Sequence, residues 1–239
     1  MKDFVRDEDI ALALPVGPGA PAALPEWRPA TRDVAPHRTY RDHGKRILDI
    51  GLVVLGLPLV LPLTGLLALA LWLEGGQPFY RQERIGRGGR RFSIVKLRTM
   101  VRDADQMLHG LLEADPALRR EWMETQKLKK DPRITRIGAL LRKTSLDEMP
   151  QLWNVLKGEM SLVSPRPMLP EQMPLYGDPD PYLALRPGIT GVWQVSARNE
   201  KSFAYRNEMD SVYNAGLRLG LDVVILWKTF GVVLRRTGY

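Results

Sequence analysis

An uncharged stretch of 24 residues, numbers 50 to 73, constrains the fold of this chain more than any other feature. It reads IGLVVLGLPLVLPLTGLLALALWL, and as a helix it is long enough to cross about 30 Å of hydrocarbon. Buried helices of soluble proteins rarely stay apolar for longer than about 14 residues. The stretch therefore predicts a helix that is embedded in a membrane.

Two prolines lie near the middle of this stretch. Pro58 and Pro62 each lack a backbone N–H and clash with the preceding turn, so they predict a kink or break. Both flanks are basic, and positive charge marks the cytoplasmic face of a membrane. The flanking residues are Arg38, Arg41, Lys45 and Arg46 before the stretch and Arg81, Arg84, Arg87, Arg90 and Arg91 after it. We therefore favour a re-entrant helix-break-helix over residues 45–74; a straight span is the alternative.

The composition of the whole chain excludes several kinds of chemistry. It contains no cysteine and only three histidines, which rules out disulfides, iron–sulfur clusters, thiolate zinc sites and cysteine nucleophiles. Any catalysis must use carboxylates, hydroxyls, Lys and Arg. The 35 Lys and Arg exceed the 27 Asp and Glu by eight charges. This excess favours an anionic partner, which could be nucleic acid, a phosphorylated small molecule or an acidic membrane surface.

The remaining sequence is predicted to be mainly α-helical with small β elements. Residues 1–40 contain six prolines and no sustained apolar period, which predicts a disordered N-terminal tail. Residues 75–239 are predicted to form a cytoplasmic domain. Within it, residues 79–85 and 91–97 flank a glycine-rich turn and predict a β-hairpin. A phosphate-binding loop is the alternative explanation of those glycines, but no P-loop or GxGxxG pattern is present.

Helical periodicity predicts the other elements of this domain. Residues 101–129 predict two surface helices that are separated near Pro116, and residues 202–214 predict a further helix. Residues 221–236 predict a helix with a broad apolar face. That face suits either the protein core or an interfacial position on anionic lipid.

The densest group of chemically active residues lies around the segment DEMPQLWNVLKG, which predicts a short helix. Pro150 must lie in its first turn, so Asp147 falls near the N-cap and Glu148 just inside. One explanation is structural, because acidic residues favour helix starts and Ser145 and Glu148 have the spacing of a capping box. The cations nearby in the sequence are Lys96, Arg98, Arg133, Arg136, Arg142, Lys143 and Arg166.

These cations favour a second explanation, a phosphate site. A helix start among positive charges binds phosphate, and a carboxylate there can attack phosphorus if a metal ion screens the repulsion between the two anions. The SPRP segment would aim Arg166 at such a site. The same basic residues also suit a solvated face on acidic lipid.

Four long motifs occur in an order that resembles a known family. They are KRILD, FYRQERIGRGGRRFSIVKLRTM, DPRITRIGALLRKTSLDEMPQLWNVLKGEMSLVSPRP and RPGITGVWQVSARN. From about Lys45 onwards the sequence resembles the monotopic phosphoglycosyl transferases of bacterial polysaccharide and glycoconjugate pathways. The resemblance covers roughly four fifths of the chain.

The resemblance implies a ping-pong reaction at the membrane surface. By similarity, Asp147 attacks the sugar-linked phosphorus of a UDP-sugar with Mg²⁺ in place, UMP leaves, and undecaprenyl phosphate then takes the phosphosugar. Asp147 and Glu148 are the implied metal-binding residues, and Glu148 is implied either in metal positioning or in proton handling. The residues implied to hold phosphates are Lys96, Arg98, Arg142, Arg166 and Arg198.

The same resemblance implies a location and partners. Residues 75–239 are then the catalytic domain, which lies on the cytoplasmic face of the bacterial inner membrane. Anionic lipid is an expected partner and nucleic acid is not. A homodimer stays an open option. The sugar is not identified; similarity to exopolysaccharide-initiating members favours a plain hexose. Two other classes stay open: a non-catalytic membrane-anchored scaffold and a basic nucleic-acid-binding protein. The apolar stretch and the lack of a recognised binding motif argue against the second.

Overall fold

The computed structural model describes residues 39–125, 128, 130–196 and 203–234. These residues form two compact units. One contains Thr99–Ala139, and the other contains the described parts of Pro25–Arg98 and Leu140–Tyr239. Nearly all of the predicted tail, residues 1–40, lies outside the described residues, as does Arg198.

A helix of 31 residues, α1 (Lys45–Gly75), is the longest element of the second unit. It follows directly on a π-helical turn, Tyr40–Gly44. Among the described residues it is the one helix long and apolar enough to cross a membrane. Its leucines are largely unpacked, with Leu55 78% exposed and Leu59 74% exposed. Apolar exposure on this scale needs lipid around it and agrees with the predicted membrane association.

The helix runs through both of its prolines. Pro58 and Pro62 lie inside α1, which is continuous over its 31 residues, so the predicted break between two helices is not confirmed. Each proline still removes one backbone donor from the helix interior. The re-entrant course over residues 45–74 therefore stays a prediction.

Both ends of α1 are bound to other parts of the same unit. Near the first end, Asp49 and Val53 are buried, at 3% and 2% exposed. At the last turn, the Arg98 guanidinium donates hydrogen bonds to the carbonyl oxygens of Leu71 and Gly75, at 2.9 Å each. The last four carbonyls of a helix, which include that of Gly75, have no partner within it, so the arginine caps the C-terminal end of α1.

A β-hairpin follows α1, as predicted. Strands β1 (Phe79–Ile85) and β2 (Arg91–Leu97) pair antiparallel, from Phe79 opposite Leu97 to Ile85 opposite Arg91. The turn contains a short 3-10 helix in which Gly88 and Gly89 have φ of 67° and 79°. Glycine adopts this left-handed region without steric cost, so turn geometry explains the glycines.

The first unit contains two helices, α2 (Ala104–Ala114) and α3 (Pro116–Thr125). Asp115 separates them, and its carboxylate accepts a hydrogen bond from the Ala117 backbone at 2.7 Å. The predicted pair of helices with a break near Pro116 is confirmed. A further helix, α4 (Arg136–Thr144), begins in this unit and ends in the other.

The second unit continues with a series of short elements after α4. They are a 3-10 turn (Leu146–Glu148), α5 (Gln151–Lys157), β3 (Ser161–Val163), a 3-10 helix (Pro170–Tyr176), α6 (Asp180–Leu183), β4 (Gly188–Thr190), α7 (Val192–Ser196), α8 (Phe203–Ala215) and α9 (Leu219–Leu234). Strands β3 and β4 pair in parallel, a contact that the sequence does not predict. The described fold is mainly α with small β elements, in agreement with the predicted class.

A buried polar network joins α9 to the start of α1. Asp222 is fully buried and accepts hydrogen bonds from Lys45 Nζ at 2.7 Å, the Tyr40 hydroxyl at 2.6 Å and the Tyr213 hydroxyl at 2.7 Å. The Lys45 ammonium also lies 5.6 Å from the centre of the Tyr213 ring. All three donors converge on one carboxylate, so its charge is well compensated inside the protein.

The last helix presents apolar side chains on two faces. Leu221 and Ile225 of α9 are buried, whereas Trp227 is 77% exposed and Phe230 is 59% exposed. The Trp227 and Phe230 rings stack with their centroids 6.5 Å apart. One face of this helix therefore belongs to the core, as the first alternative predicts, and the other is apolar and uncovered. A position on anionic lipid stays a prediction.

Candidate active site

Asp147 and Glu148 lie in a 3-10 turn that precedes the helix, rather than in its first turn. The turn spans Leu146–Glu148, and α5 begins only at Gln151 with Pro150 as its N-cap. The predicted N-cap position of Asp147 is therefore wrong by about one turn. The tighter geometry arises because the chain enters the turn through an unusual backbone conformation.

Ser145 provides that conformation. Its φ of 57° is the one positive value at a described non-glycine residue, and such a conformation costs roughly 1 kcal/mol or more. Its side chain makes no capping hydrogen bond, although its carbonyl accepts one from the Glu148 backbone at 3.3 Å. The capping box that the spacing suggests is not formed. The Glu148 carboxylate is consequently free to bind other groups.

Glu148 binds two cations from distant parts of the chain. Its Oε1 accepts hydrogen bonds from Lys96 Nζ at 2.9 Å and from Arg166 Nη2 at 2.7 Å. Lys96 comes from β2, and Arg166 comes from the SPRP turn after β3. Burial alone would raise the pKa of Glu148, but the charges and hydrogen bonds of Arg166 and Lys96 hold it well below its usual value. Glu148 is therefore ionised throughout the physiological range.

Asp147 has a different environment from its neighbour. Burial, and next the negative charge of Glu148, raise the pKa of Asp147 to about 6. The charges of Lys96, Arg166 and Arg142 oppose that rise without cancelling it. No hydrogen bond to the Asp147 carboxylate occurs within the described part of the chain. The pair is thus divided into one carboxylate fixed by cations and one that is poorly solvated and free to react.

The other predicted phosphate-binding residues are distributed more widely. Arg142 is close enough for its charge to lower the pKa of Asp147. Arg98 is instead committed to the end of α1, through the two carbonyl oxygens described above. In the first unit, Arg133 is 4% exposed and pairs with Asp131 at 2.7 Å. The structure therefore brings Lys96, Arg142 and Arg166 to the carboxylate pair, whereas Arg98 binds the end of α1.

The parallel pairing of β3 and β4 positions the SPRP turn. Ser164 N donates to the carbonyl of Thr190 at 2.8 Å, and Gly188 N donates to that of Pro165 at 2.7 Å. A Cβ atom on Gly188 would lie only 2.2 Å from Ser164 N, and one on Gly191 only 2.4 Å from the Ser164 carbonyl oxygen. The backbones can approach this closely only because both positions are glycine.

Two arginines beside this turn were not among the predicted site residues. Arg206 of α8 donates to the Arg166 carbonyl oxygen, and the charges of Arg166 and Arg206 act on Arg84 of β1. In the sequence, Arg84 is recognisable only as one of the basic residues that follow the apolar stretch. Arg206 lies 40 residues from Arg166, and no local pattern marks it. Only the folded chain brings the three residues together.

The donor set at this site suits a hard cation. Two adjacent carboxylates offer oxygen ligands of the kind that Mg²⁺ prefers, and Mg²⁺ commonly takes one or two carboxylates together with substrate phosphates. The described residues contain no group of three or more acidic, histidine or cysteine side chains that would bind a metal by themselves. Asp147 and Glu148 therefore fit a metal that is shared with a phosphorylated ligand.

The described residues thus combine an apolar helix of membrane-spanning length with a carboxylate pair set among cations. The family model for bacterial sugar transferases matches residues 40–236. Because this match covers well over half of the 239 residues, the chain belongs to the bacterial sugar transferase family.

Several relatives have descriptive names. The UDP-galactose-lipid carrier transferase of Erwinia amylovora is 49% identical over 195 residues, which are 81% of this chain and 41% of that protein. The undecaprenyl-phosphate galactose phosphotransferase of Salmonella typhimurium is 46% identical with the same coverage. The exopolysaccharide production protein ExoY of Rhizobium meliloti is 40% identical over 92% of this chain and 96% of its own length. The chain thus spans about two fifths of the first two relatives and nearly all of the third.

Proposed function

We propose that this protein is a membrane phosphoglycosyl transferase. It moves a sugar 1-phosphate, most simply a hexose 1-phosphate, from a UDP-sugar to undecaprenyl phosphate and releases UMP, the first step in building a polysaccharide. The observation that carries this proposal is the division of the carboxylate pair: Glu148 is bound by Lys96 and Arg166, while Asp147 is half-buried and has a raised pKa. The names of the relatives, which mention galactose and undecaprenyl phosphate, support the choice of substrates.

The first half of the reaction forms a covalent intermediate. A carboxylate oxygen of Asp147 attacks the sugar-linked phosphorus, the bond from that phosphorus to the bridging oxygen breaks, and UMP leaves with the electron pair. In the second half, an oxygen of undecaprenyl phosphate attacks the same phosphorus and releases the Asp147 carboxylate. The product is a polyprenyl diphosphate sugar, and the enzyme returns to its starting form.

The surrounding residues hold the phosphates and control the carboxylates. Arg166 and Arg142 provide guanidinium donors that match phosphate oxygens. Glu148 keeps Lys96 and Arg166 in place, because it binds both of them through one oxygen. When bound, Mg²⁺ on Asp147 and Glu148 would reduce the repulsion between the attacking carboxylate and the anionic phosphate.

UMP release tests this function directly. The detergent-purified chain is incubated with undecaprenyl phosphate, Mg²⁺ and a panel of UDP-sugars that includes galactose, glucose and acetamido sugars. We expect release of UMP with at least one sugar and loss of release on chelation of the metal. If no sugar supports release, the non-catalytic scaffold becomes the better explanation of the same fold.

The rate should depend on pH through Asp147. Because its pKa is raised to about 6, Asp147 is partly protonated below that pH and cannot attack. We expect kcat/KM for the UDP-sugar to rise about tenfold per pH unit below pH 6 and to level off above pH 7. Glu148 does not titrate in this range, since its pKa is held low. A midpoint near pH 4 would contradict the environment described for Asp147.

The proposed site lies at the cytoplasmic face of the inner membrane. A re-entrant course of α1 is supported by the basic flanks and by contacts at both ends of the helix: Val53 packs with Ile94 in the core, and Arg98 binds Gly75. The uncovered apolar face of α9, with Trp227, would then meet lipid beside anionic headgroups.

Reporter fusions test this topology. We expect reporters at residue 1 and residue 239 to be active only as cytoplasmic fusions, because a re-entrant helix returns the chain to the side on which it entered. A straight span places the two ends on opposite sides. A periplasmic signal from a reporter at residue 1 would therefore contradict the re-entrant arrangement.

A further inference from the structure

Arg84 and Arg206 have no role in the mechanism above, yet both lie beside Arg166. Arg206 donates through Nη2 to the Arg166 carbonyl oxygen. The carbon at the centre of its guanidinium lies 5.5 Å from the centre of the Trp193 ring and 5.8 Å from that of Tyr176. Burial, followed by the charges of Arg166 and Arg206, lowers the pKa of Arg84 to about 10. The three arginines therefore form one positively charged group.

The two additional guanidiniums, one buried in Arg206 and one half-buried in Arg84, have no anionic partner among the described residues. Arg206 is 8% exposed. The Nε atoms of Arg206 and Arg84 are both buried without a hydrogen-bond partner. Over the described ranges, neither arginine forms an ion pair, and Arg84 Nη2 donates only to the neutral amide oxygen of Gln82. Burying an unpaired charge is unfavourable, so an anion is the missing partner.

Two neutral hydrogen-bond donors beside Arg206 also lack a partner. Trp193 Nε1 and the Tyr176 hydroxyl are buried without a hydrogen-bond partner within the described residues, and their rings are the ones that flank Arg206. Native proteins rarely leave several buried donors unsatisfied together. Ring contacts orient a guanidinium without using its N–H groups, so those groups remain available. A ligand rich in acceptor oxygens and negative charge would satisfy all of them.

We propose that Arg84 and Arg206 bind a phosphate group of a substrate, next to the phosphate that reacts with Asp147. Each guanidinium offers a fork of N–H donors that matches two phosphate oxygens. The inference rests on the proposed function, in which the UDP-sugar brings two phosphates and the lipid acceptor brings one. The group bound here is then either the phosphate that leaves with UMP or the phosphate of the acceptor.

Direct binding to the full chain in detergent tests this assignment. Calorimetric titrations use UDP, which represents the donor, and farnesyl phosphate, which represents the acceptor. The variants are Arg84→Gln and Arg206→Gln, with Arg84→Lys as the conservative form. Arg90→Gln is the matched control, because Arg90 lies in the same hairpin but is exposed. Thermal unfolding without ligand shows that each variant is folded.

We expect both glutamine variants to weaken the binding of one probe at least about tenfold, Arg84→Lys to recover part of it, and Arg90→Gln to bind normally. Weaker UDP binding assigns the group to the donor, and weaker farnesyl phosphate binding assigns it to the acceptor. Arg84→Gln is the cleaner variant, since Arg206 also holds the Arg166 backbone.

Unchanged affinity for both probes in folded Arg84→Gln and Arg206→Gln overturns the inference. If wild-type protein releases UMP while these variants bind like wild type, only the inference fails and the proposed function stands. If wild-type protein releases no UMP with any sugar, the proposed function fails. The two titrations still decide in that case whether these arginines hold phosphate.

Discussion

Asp147→Asn is expected to lower UMP release by at least about a thousandfold, because an amide cannot serve as the nucleophile at phosphorus. The measurement is UMP formed in a single turnover with the UDP-sugar alone, before any acceptor is added. Wild-type protein should give a burst of UMP that matches the amount of enzyme, and the variant should give none. A burst of normal size from Asp147→Asn would remove Asp147 from the mechanism.

The same substitution is expected to stabilise the fold at pH 8. The pKa of Asp147 is raised from its ordinary value to about 6, so the folded state favours the protonated acid and loses stability as pH rises through the raised pKa. Replacing the ionised acid with a neutral amide should raise the free energy of unfolding by about 1–3 kcal/mol at pH 8. Near pH 4 the difference should largely disappear.

Glu148→Gln is expected to change the stability in the opposite direction. Because Arg166 and Lys96 hold the pKa of Glu148 low, this acid contributes stability above its unfolded pKa, and that stability is lost as pH falls. The variant leaves both cations without their carboxylate and should be less stable than wild type by about 1–3 kcal/mol at pH 8. Thermal unfolding in detergent at pH 5 and pH 8 distinguishes the two variants, and shifts of the same sign would contradict this account.

Asp222→Asn is expected to cost about 3–5 kcal/mol, because it leaves the buried Lys45 ammonium without a counter-charge. Asp222 also accepts hydrogen bonds from two tyrosine hydroxyls, those of Tyr40 and Tyr213. An asparagine has a single acceptor oxygen in its side chain, so it cannot accept these hydrogen bonds as well as the carboxylate does. A loss of this size lowers the melting temperature of a chain of this length by roughly 10 °C. Glu171→Gln, at an exposed position, should leave the melting temperature unchanged.

A second substitution shows whether the buried charge causes the loss. Lys45→Met combined with Asp222→Leu removes both charges and should recover at least half of the lost stability, since apolar pairs replace buried ion pairs well. Activity should fall in the single variant as well, because this network joins α9 to the start of the membrane helix. A single Asp222→Asn variant with the same melting temperature as wild type would show that the network contributes little to stability.

The elements that were predicted correctly are those with local causes. The hairpin follows from two β-prone segments around a turn whose glycines adopt positive φ. The helices of residues 101–129 follow from periodicity and from the break at Pro116. The sequence also marks Asp147 and Glu148 as a candidate pair, because an acidic pair among cations is a local and unusual pattern; their catalytic role stays a prediction.

The parts that were missed or misplaced depend on distant contacts. The left-handed conformation of Ser145 places Asp147 and Glu148 in a separate turn. A serine in the sequence does not indicate such a conformation. The pairing of β3 with β4 joins segments about 27 residues apart. Arg98 follows Lys96 by only two residues, but β2 ends at Leu97, and Arg98 binds the end of α1 instead.

The membrane-length apolar helix and the acidic pair in a basic domain are both evident from the order of residues in the chain. Charge-free length and clustered residue types are properties of the chain alone. Which of the two carboxylates is bound by cations depends instead on contacts between distant segments. Lys96 and Arg166 lie 52 and 18 residues from Glu148, and the electrostatic difference between two adjacent acids depends on which of them those folded segments reach.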